Sequence, residues 1–115
     1  MRLAFISDIH GNFDALKAVM LDIKKNKIEK IFCLGDIVNY YYEPHKCIDL
    51  LIKNNVKCIK GNHETVFFKT LESKKKAEKF SKIYGNSIFK NLKLLKKKHI
   101  VFLKSLRSQY RFSLN

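Results

Sequence analysis

Three short stretches carry residues that could do chemistry together. Ser7-Asp8-Ile9-His10-Gly11-Asn12 sets an aspartate and a histidine two positions apart, Gly35-Asp36 supplies a second carboxylate, and Gly61-Asn62-His63-Glu64 supplies an amide, an imidazole and a third carboxylate. Carboxylates and imidazoles in one set suit a borderline or hard divalent cation such as Mn, Fe or Zn. Asp8 and His10 can reach one ion from a single turn, and Asp36 has two oxygens with which to bridge a pair of ions. Asn62 offers a neutral carbonyl oxygen, and His63 suits a proton donor rather than a ligand. Glycines beside these residues let the backbone turn sharply and let a substrate approach. Taken singly, each stretch is a weak signal: a lone Gly-Asp can cap a loop, and Gly-Asn-His-Glu can be a turn that opens a polar helix.

The weight comes from the elements that must position them. Arg2–Ser7 reads as a strand whose Leu-Ala-Phe-Ile core is apolar on both faces. Phe13, Leu16, Val19, Met20 and Ile23 then recur at helical spacing, with Lys17, Asp22, Lys24 and Lys25 opposite and Asn12 or a neighbour as cap. Lys30–Leu34 is a second strand, ended by Gly35. Pro44 suits the first turn of a second helix, in which Cys47, Ile48, Leu51 and Ile52 form the apolar stripe. Asn54-Asn55 stop that helix, Val56–Lys60 is a third strand, and Gly61 ends it. The pattern is β-α-β-α-β, an α/β class with parallel strands. In such a sheet the C-terminal strand ends share one edge, so the three turns should converge there.

Beyond Glu64 the character changes. Thr65–Ser73 reads as a short helix with Phe67, Phe68 and Leu71 inward, and Lys74-Lys75-Lys76 as a solvated charge run. Ser87–Lys97 is a clearer helix, with Ile88, Phe89, Leu92 and Leu95 on one side and Lys90, Lys93 and Lys97 on the other. Ile100–Leu106 reads as one more helix. Tyr110–Leu114 alternates like a strand, as though it were the first arm of a hairpin.

Composition narrows the class. A chain of 115 residues suits one modest domain, and 46% apolar residues suffice for a core. No apolar run approaches the roughly 20 residues of a membrane span, and no signal peptide is read, so a cytoplasmic protein is expected. Three cysteines, Cys33, Cys47 and Cys58, do not suggest a disulfide framework and read as small buried hydrophobes. The net charge of +14 is uneven: residues 1–65 hold 10 Lys+Arg against 8 Asp+Glu, residues 66–115 hold 14 against 2. That basic half, with Tyr84, Phe89, Phe102, Tyr110 and Phe112 interleaved, leaves a second class open: a non-catalytic module contacting nucleic acid or another polyanion. Nucleic acid is not the favoured partner, because most of those aromatics fall at core spacing and the lysines suit a solvated face.

Read together, SDIHGN, CLGDIVNYYYEPHKCIDLL and IKGNHE resemble the calcineurin-like metallophosphoesterases, and within them the small bacterial and archaeal phosphoesterases. The resemblance is strong over residues 1–64 and only one of pattern beyond. It implies hydrolysis of phosphate mono- or diesters by a metal-activated water. Asp8 and His10 would bind a first metal, Asp36 would bridge two, and Asn62 would bind the second and help to position the phosphate. His63 would lie by the leaving-group oxygen. It also implies half of a four-layer α/β/β/α sandwich: one truncated domain over residues 1–115, with residues 1–64 as the motif-bearing core and residues 65–115 as a basic helical segment ending in a strand. The family's further histidines, after a later strand and in a Gly-His-x-His turn, have no counterpart here, since His45 and His99 stand in unsuitable contexts. The expectation is therefore two divalent ions in the complete fold and at most one held well by this chain. A complementing C-terminal chain or a homo-oligomer would cover the sheet. Tyr41 or Tyr42 would either line the substrate edge or pack across the loop.

Overall fold

In the computed structural model, which describes residues 1–114, three strands form a parallel sheet in the order β1 (Leu3–Ile6), β2 (Lys30–Cys33), β3 (Lys57–Cys58). The crossovers are α1 (Phe13–Lys25) and α2 (Pro44–Lys53), so the β-α-β-α-β reading holds. Alternation along the strands divides the sheet. Ala4, Ile6, Ile31, Cys33 and Cys58 face one way, where they pack with Leu16, Met20 and Ile23 of α1 and Cys47, Ile48 and Leu51 of α2. Asn12 caps α1 by accepting the Ala15 N–H at 3.2 Å, and Pro44 opens α2, where its missing N–H costs nothing.

Phe5 and Phe32, register partners on the other face, stack at 5.3 Å between ring centroids. Among the described residues no helix packs on that face. Phe5 is 56% exposed, and Phe32 is covered by Phe112 at 4.4 Å and Tyr110 at 6.1 Å.

Four helices follow: α3 (Asn62–Glu72), α4 (Lys74–Tyr84), α5 (Ser87–Leu94) and α6 (Lys97–Ser105). Sequence reading anticipates three of them, with shifted ends. The lysine run at 74–76 is not merely a solvated loop but the first turn of α4. Ser73 caps it, its Oγ accepting the Lys76 N–H at 3.1 Å, and Ala77, Phe80 and Tyr84 supply the inward face. The helix predicted over Ser87–Lys97 stops at Leu94, and α6 begins at Lys97 instead of Ile100. The cause is a second cap: Nδ1 of buried His99 accepts the Lys96 N–H at 2.9 Å, while its Nε2–H donates to Asp49 of α2 at 2.9 Å. His99 thus fastens α6 onto α2.

Tyr110–Leu114 is not a strand. The third strand's edge is met earlier, through an isolated parallel bridge of Ile59 with Arg107 and a Lys60 N–H to Arg107 carbonyl bond of 2.7 Å. The aromatics beyond it lie over Phe32, so the alternation reflects rings laid on the bare face, not a ladder. With Tyr110 and Phe112 there, and Tyr84 against His63, three of the five aromatics of the basic half pack against other rings of the chain. Among the described residues no helix is long and apolar enough to cross a membrane.

Two neighbours in α2 separate the packing from the pattern. Leu51 is fully buried, whereas Ile52, read as part of the same stripe, is 48% exposed. Leu51→Ala should cost about 2–5 kcal/mol in urea unfolding, and Ile52→Ala should stay within about 0.5 kcal/mol. Equal costs would contradict this packing of α2.

Candidate metal centre at the sheet edge

The turns after β1 and β2 continue the parallel pairing beyond the strands. The Asp8 N–H bonds to the Gly35 carbonyl (3.3 Å), His10 to Asp36 (2.9 Å) and Gly11 to Ile37 (2.7 Å). This extension brings the ligand atoms of Asp8, His10 and Asp36 within 4.8 Å of one another, the one such group of His, Cys, Asp or Glu among the described residues. All three sit in the left-handed region, with φ of 57° at Asp8, 47° at His10 and 56° at Asp36. A non-glycine residue there is uncommon and costs on the order of 1–3 kcal/mol where surroundings impose it. Three in one cluster aim their side chains off the sheet edge to a common point.

The imidazole is preset. His10 Nδ1 lies 2.9 Å from the Val38 carbonyl, which can only accept, so the proton resides on Nδ1. Nε2 is left with its lone pair on the side of Asp8, whose nearer oxygen is 3.5 Å away. Orientation of one ring nitrogen by a carbonyl is what a metal-ligating histidine ordinarily shows. Asp8 is open to solvent and His10 largely covered. Two carboxylates and one oriented imidazole are a donor set that fits a divalent ion.

Glu64, to which the sequence assigns no role, holds these turns in place. Its side chain is fully buried and accepts four backbone N–H groups: Asp36 (2.7 Å) and Gly61 (2.9 Å) on Oε1, Ile37 (2.8 Å) and Val38 (3.2 Å) on Oε2. The loop after β2 and the turn after β3 are thereby tied to one carboxylate on the first turn of α3. The approach is close enough to demand glycine. A Cβ on Gly35 would lie 2.4 Å from the Gly61 nitrogen, and one on Gly61 would lie 2.5 Å from both the Asp36 nitrogen and Oδ1.

Asn62 and His63 open α3 at this edge. Asn62 is exposed beside Gly61. The His63 N–H donates to Asp36 Oδ1 at 2.8 Å, so the positive end of the helix faces that carboxylate. The His63 ring is buried, and its Nδ1 accepts from the Asn39 amide at 3.1 Å, which leaves the proton on Nε2. Burial, then the neighbouring His10, hold its pKa below the ordinary histidine value, so the neutral donor form prevails near neutrality.

Four of the five tyrosines lie around this histidine or on the loop after β2. Tyr40 has its ring 4.9 Å from both His10 and His63, and Tyr84 of α4 lies 4.8 Å from His63. Tyr41 and Tyr42 are exposed, and Tyr41 lines a cleft together with Asp8 and His10. His45 and His99 lie together elsewhere, 6.4 Å apart on α2 and α6, and are not in the ligand group.

The Glu64 knot is testable apart from any chemistry. Glu64→Gln exchanges a buried acceptor for a donor that faces N–H groups and should destabilise the chain by about 3 kcal/mol. Chemical denaturation would measure it, and a loss below about 0.5 kcal/mol, the scale of a surface change, would contradict the role.

Comparison with known proteins agrees with this geometry. The sequence profile of the calcineurin-like phosphoesterases matches residues 1–114. An uncharacterized protein of Methanocaldococcus jannaschii is 41% identical over 104 residues, which cover 90% of this chain and 41% of that protein. The crystal structure of a metallophosphoesterase from Sphaerobacter thermophilus superposes with a TM-score of 0.71 at 30% identity, over 92% of this chain and 41% of that one. The chain thus spans about two-fifths of the length of each of these relatives. With the profile match running through both the motif turns and the helical segment, the chain belongs to the calcineurin-like phosphoesterase family.

Proposed function

We propose that this chain carries one side of a metal-dependent phosphoesterase site that hydrolyses phosphate mono- or diesters. The observation that carries the reading is the convergence of Asp8, His10 and Asp36 on one point from three left-handed positions. Those three residues would hold a divalent ion, Mn, Fe or Zn by the chemistry of the donors. Such an ion, when bound, lowers the pKa of its water and neutralises charge on phosphoryl oxygens.

The chain's own residues supply the rest. Asn62 opens α3 at the same edge, exposed, and its side-chain amide suits a phosphate oxygen. The neutral His63, with its proton on Nε2 through its bond with Asn39, would stabilise charge on a departing oxygen by a hydrogen bond from Nε2–H. A second ion would find Asp36 and Asn62, too few donors for tight binding, so residues outside this chain would have to complete that position. A complementing C-terminal chain or another copy of this one is the partner we propose. The bare sheet face with Phe5 exposed, and the greater length of the relatives, support that reading.

Calorimetry with manganese should show one tight site per chain; two tight sites would contradict the reading. With Mn present, hydrolysis of a chromogenic phosphate diester should fall about 100-fold or more in Asp36→Asn, at or beyond the loss caused by removing a ligand's supporting partner. Equal rates in native and variant protein would overturn the assignment. In size-exclusion chromatography the chain should elute above its 13.6 kDa monomer mass, and a monodisperse monomer would count against self-association.

A further inference from the structure

The loop between β2 and α2 contains a residue that its backbone does not call for. Tyr40 has φ of 73°, directly after Asn39 at 69°. Glycine would adopt this conformation without strain, and asparagine tolerates it, but a bulky aromatic residue is a genuine outlier there. The turn is held from outside. Asn91 Oδ1 accepts the Asn39 N–H at 2.9 Å, and Ser87 Oγ accepts the Tyr40 N–H at 2.7 Å, both from α5. Asn91 is itself fixed by a 2.7 Å bond from its amide to the Ser87 carbonyl. Core packing does not account for the tyrosine either, because it is 45% exposed.

What the strained turn secures is the position of the ring. Tyr40 meets His10 edge-on and His63 at a tilt, and lies 6.1 Å from Tyr84, which also contacts His63. Tyr84 is backed by the near-parallel ring of Phe80 at 6.2 Å, so it is fixed, whereas Tyr40 retains a free surface. An aromatic platform with open area thus stands within one ring's width of the metal ligand His10 and of His63.

We infer that Tyr40 is a specificity-determining residue of this site, selecting phosphoesters that carry a planar aromatic group, an aryl ring or a nucleobase, next to the phosphorus. The inference rests on the phosphoester reading above and narrows its substrate class. Stacking on an aromatic side chain tolerates any ring with a π-face, so the platform selects the class rather than one compound. A saturated substituent of equal bulk gains the apolar contact without the stacking geometry.

Phosphonates test this without turnover, because their carbon–phosphorus bond is not an ester. Binding of phenylphosphonate, cyclohexylphosphonate and methylphosphonate would be measured by calorimetry on the full chain with manganese present. Phenylphosphonate should bind about tenfold more tightly than the other two, near the lower end of what one stacked ring contributes. Tyr40→Phe should keep that ratio, and Tyr40→Gly, which relieves the backbone, should bring it close to one. The adenosine phosphonate in which a CH2 replaces the 5′-oxygen on phosphorus, against the corresponding ribose phosphonate, asks the same of a nucleobase, and a preference in only one pair identifies the aromatic source. Equal affinities within both pairs in the native protein, or a preference that survives Tyr40→Gly, would overturn the selection and leave the phosphoester reading standing. A Tyr40→Gly change that weakens all ligands alike would make Tyr40 a support for the imidazoles and overturn it too. Failure of every phosphonate to bind with manganese present would overturn the phosphoester reading, and this inference with it.

Discussion

The Glu64 carboxylate is the point on which the sheet edge depends. Four backbone N–H groups, three from the loop after β2 and one from the turn after β3, end on its two oxygens inside the protein. None of the four is served by a strand ladder, and buried N–H groups without partners are costly. The two oxygens of one carboxyl side chain offer enough lone pairs to satisfy them all. Because Glu64 lies on the first turn of α3, the same contact fixes where that helix begins and hence where Asn62 and His63 stand.

Much of the local geometry follows from that tie. The loop after β2 is pulled close enough to β3 that Gly35 and Gly61 must lack side chains. Asp36 is turned into the left-handed region, where its side chain meets the helix start through the His63 N–H. The pairing of this loop with the turn after β1 then carries the constraint to Asp8 and His10. The strain of Asp8, His10 and Asp36 in the left-handed region is borne by the backbone bonds between these loops, so the placement of the three side chains and fold stability are linked at this edge.

The helical segment after α3 has a clear structural part in the same edge. α5 contributes Ser87 and Asn91, which hold the Asn39–Tyr40 turn, and α4 contributes Tyr84 against His63. α6 is anchored to α2 by the Asp49–His99 pair. The strong positive charge of these helices lies mostly on exposed lysines and does not prevent their inner faces from shaping the site. On the opposite side of the sheet, the Tyr110 and Phe112 rings protect Phe32 and leave Phe5 open.

Periodicity and motif order alone yield the β-α-β-α-β core and the turns that carry Asp8, His10, Asp36, Asn62 and His63. Strand and helix periodicity are local, and the glycines mark where the strands end. The sequence also disclosed the family, through motifs whose order follows the strands. What surrounds those residues is set by long-range packing. Glu64 looked like the end of a motif because its four partners are 3 to 28 residues distant and are backbone groups, which carry no side-chain signature. Tyr40 was indistinguishable from Tyr41 and Tyr42 until the loop's φ angles set their directions. Ser87 and Asn91 reach the loop they support across 47 and 52 residues of chain. The terminal aromatic alternation was read as a strand because period two is shared by a ladder and by rings laid on a bare sheet face. Which of the two forms depends on a hydrogen-bonding partner, and that is a property of the packed chain rather than of the segment.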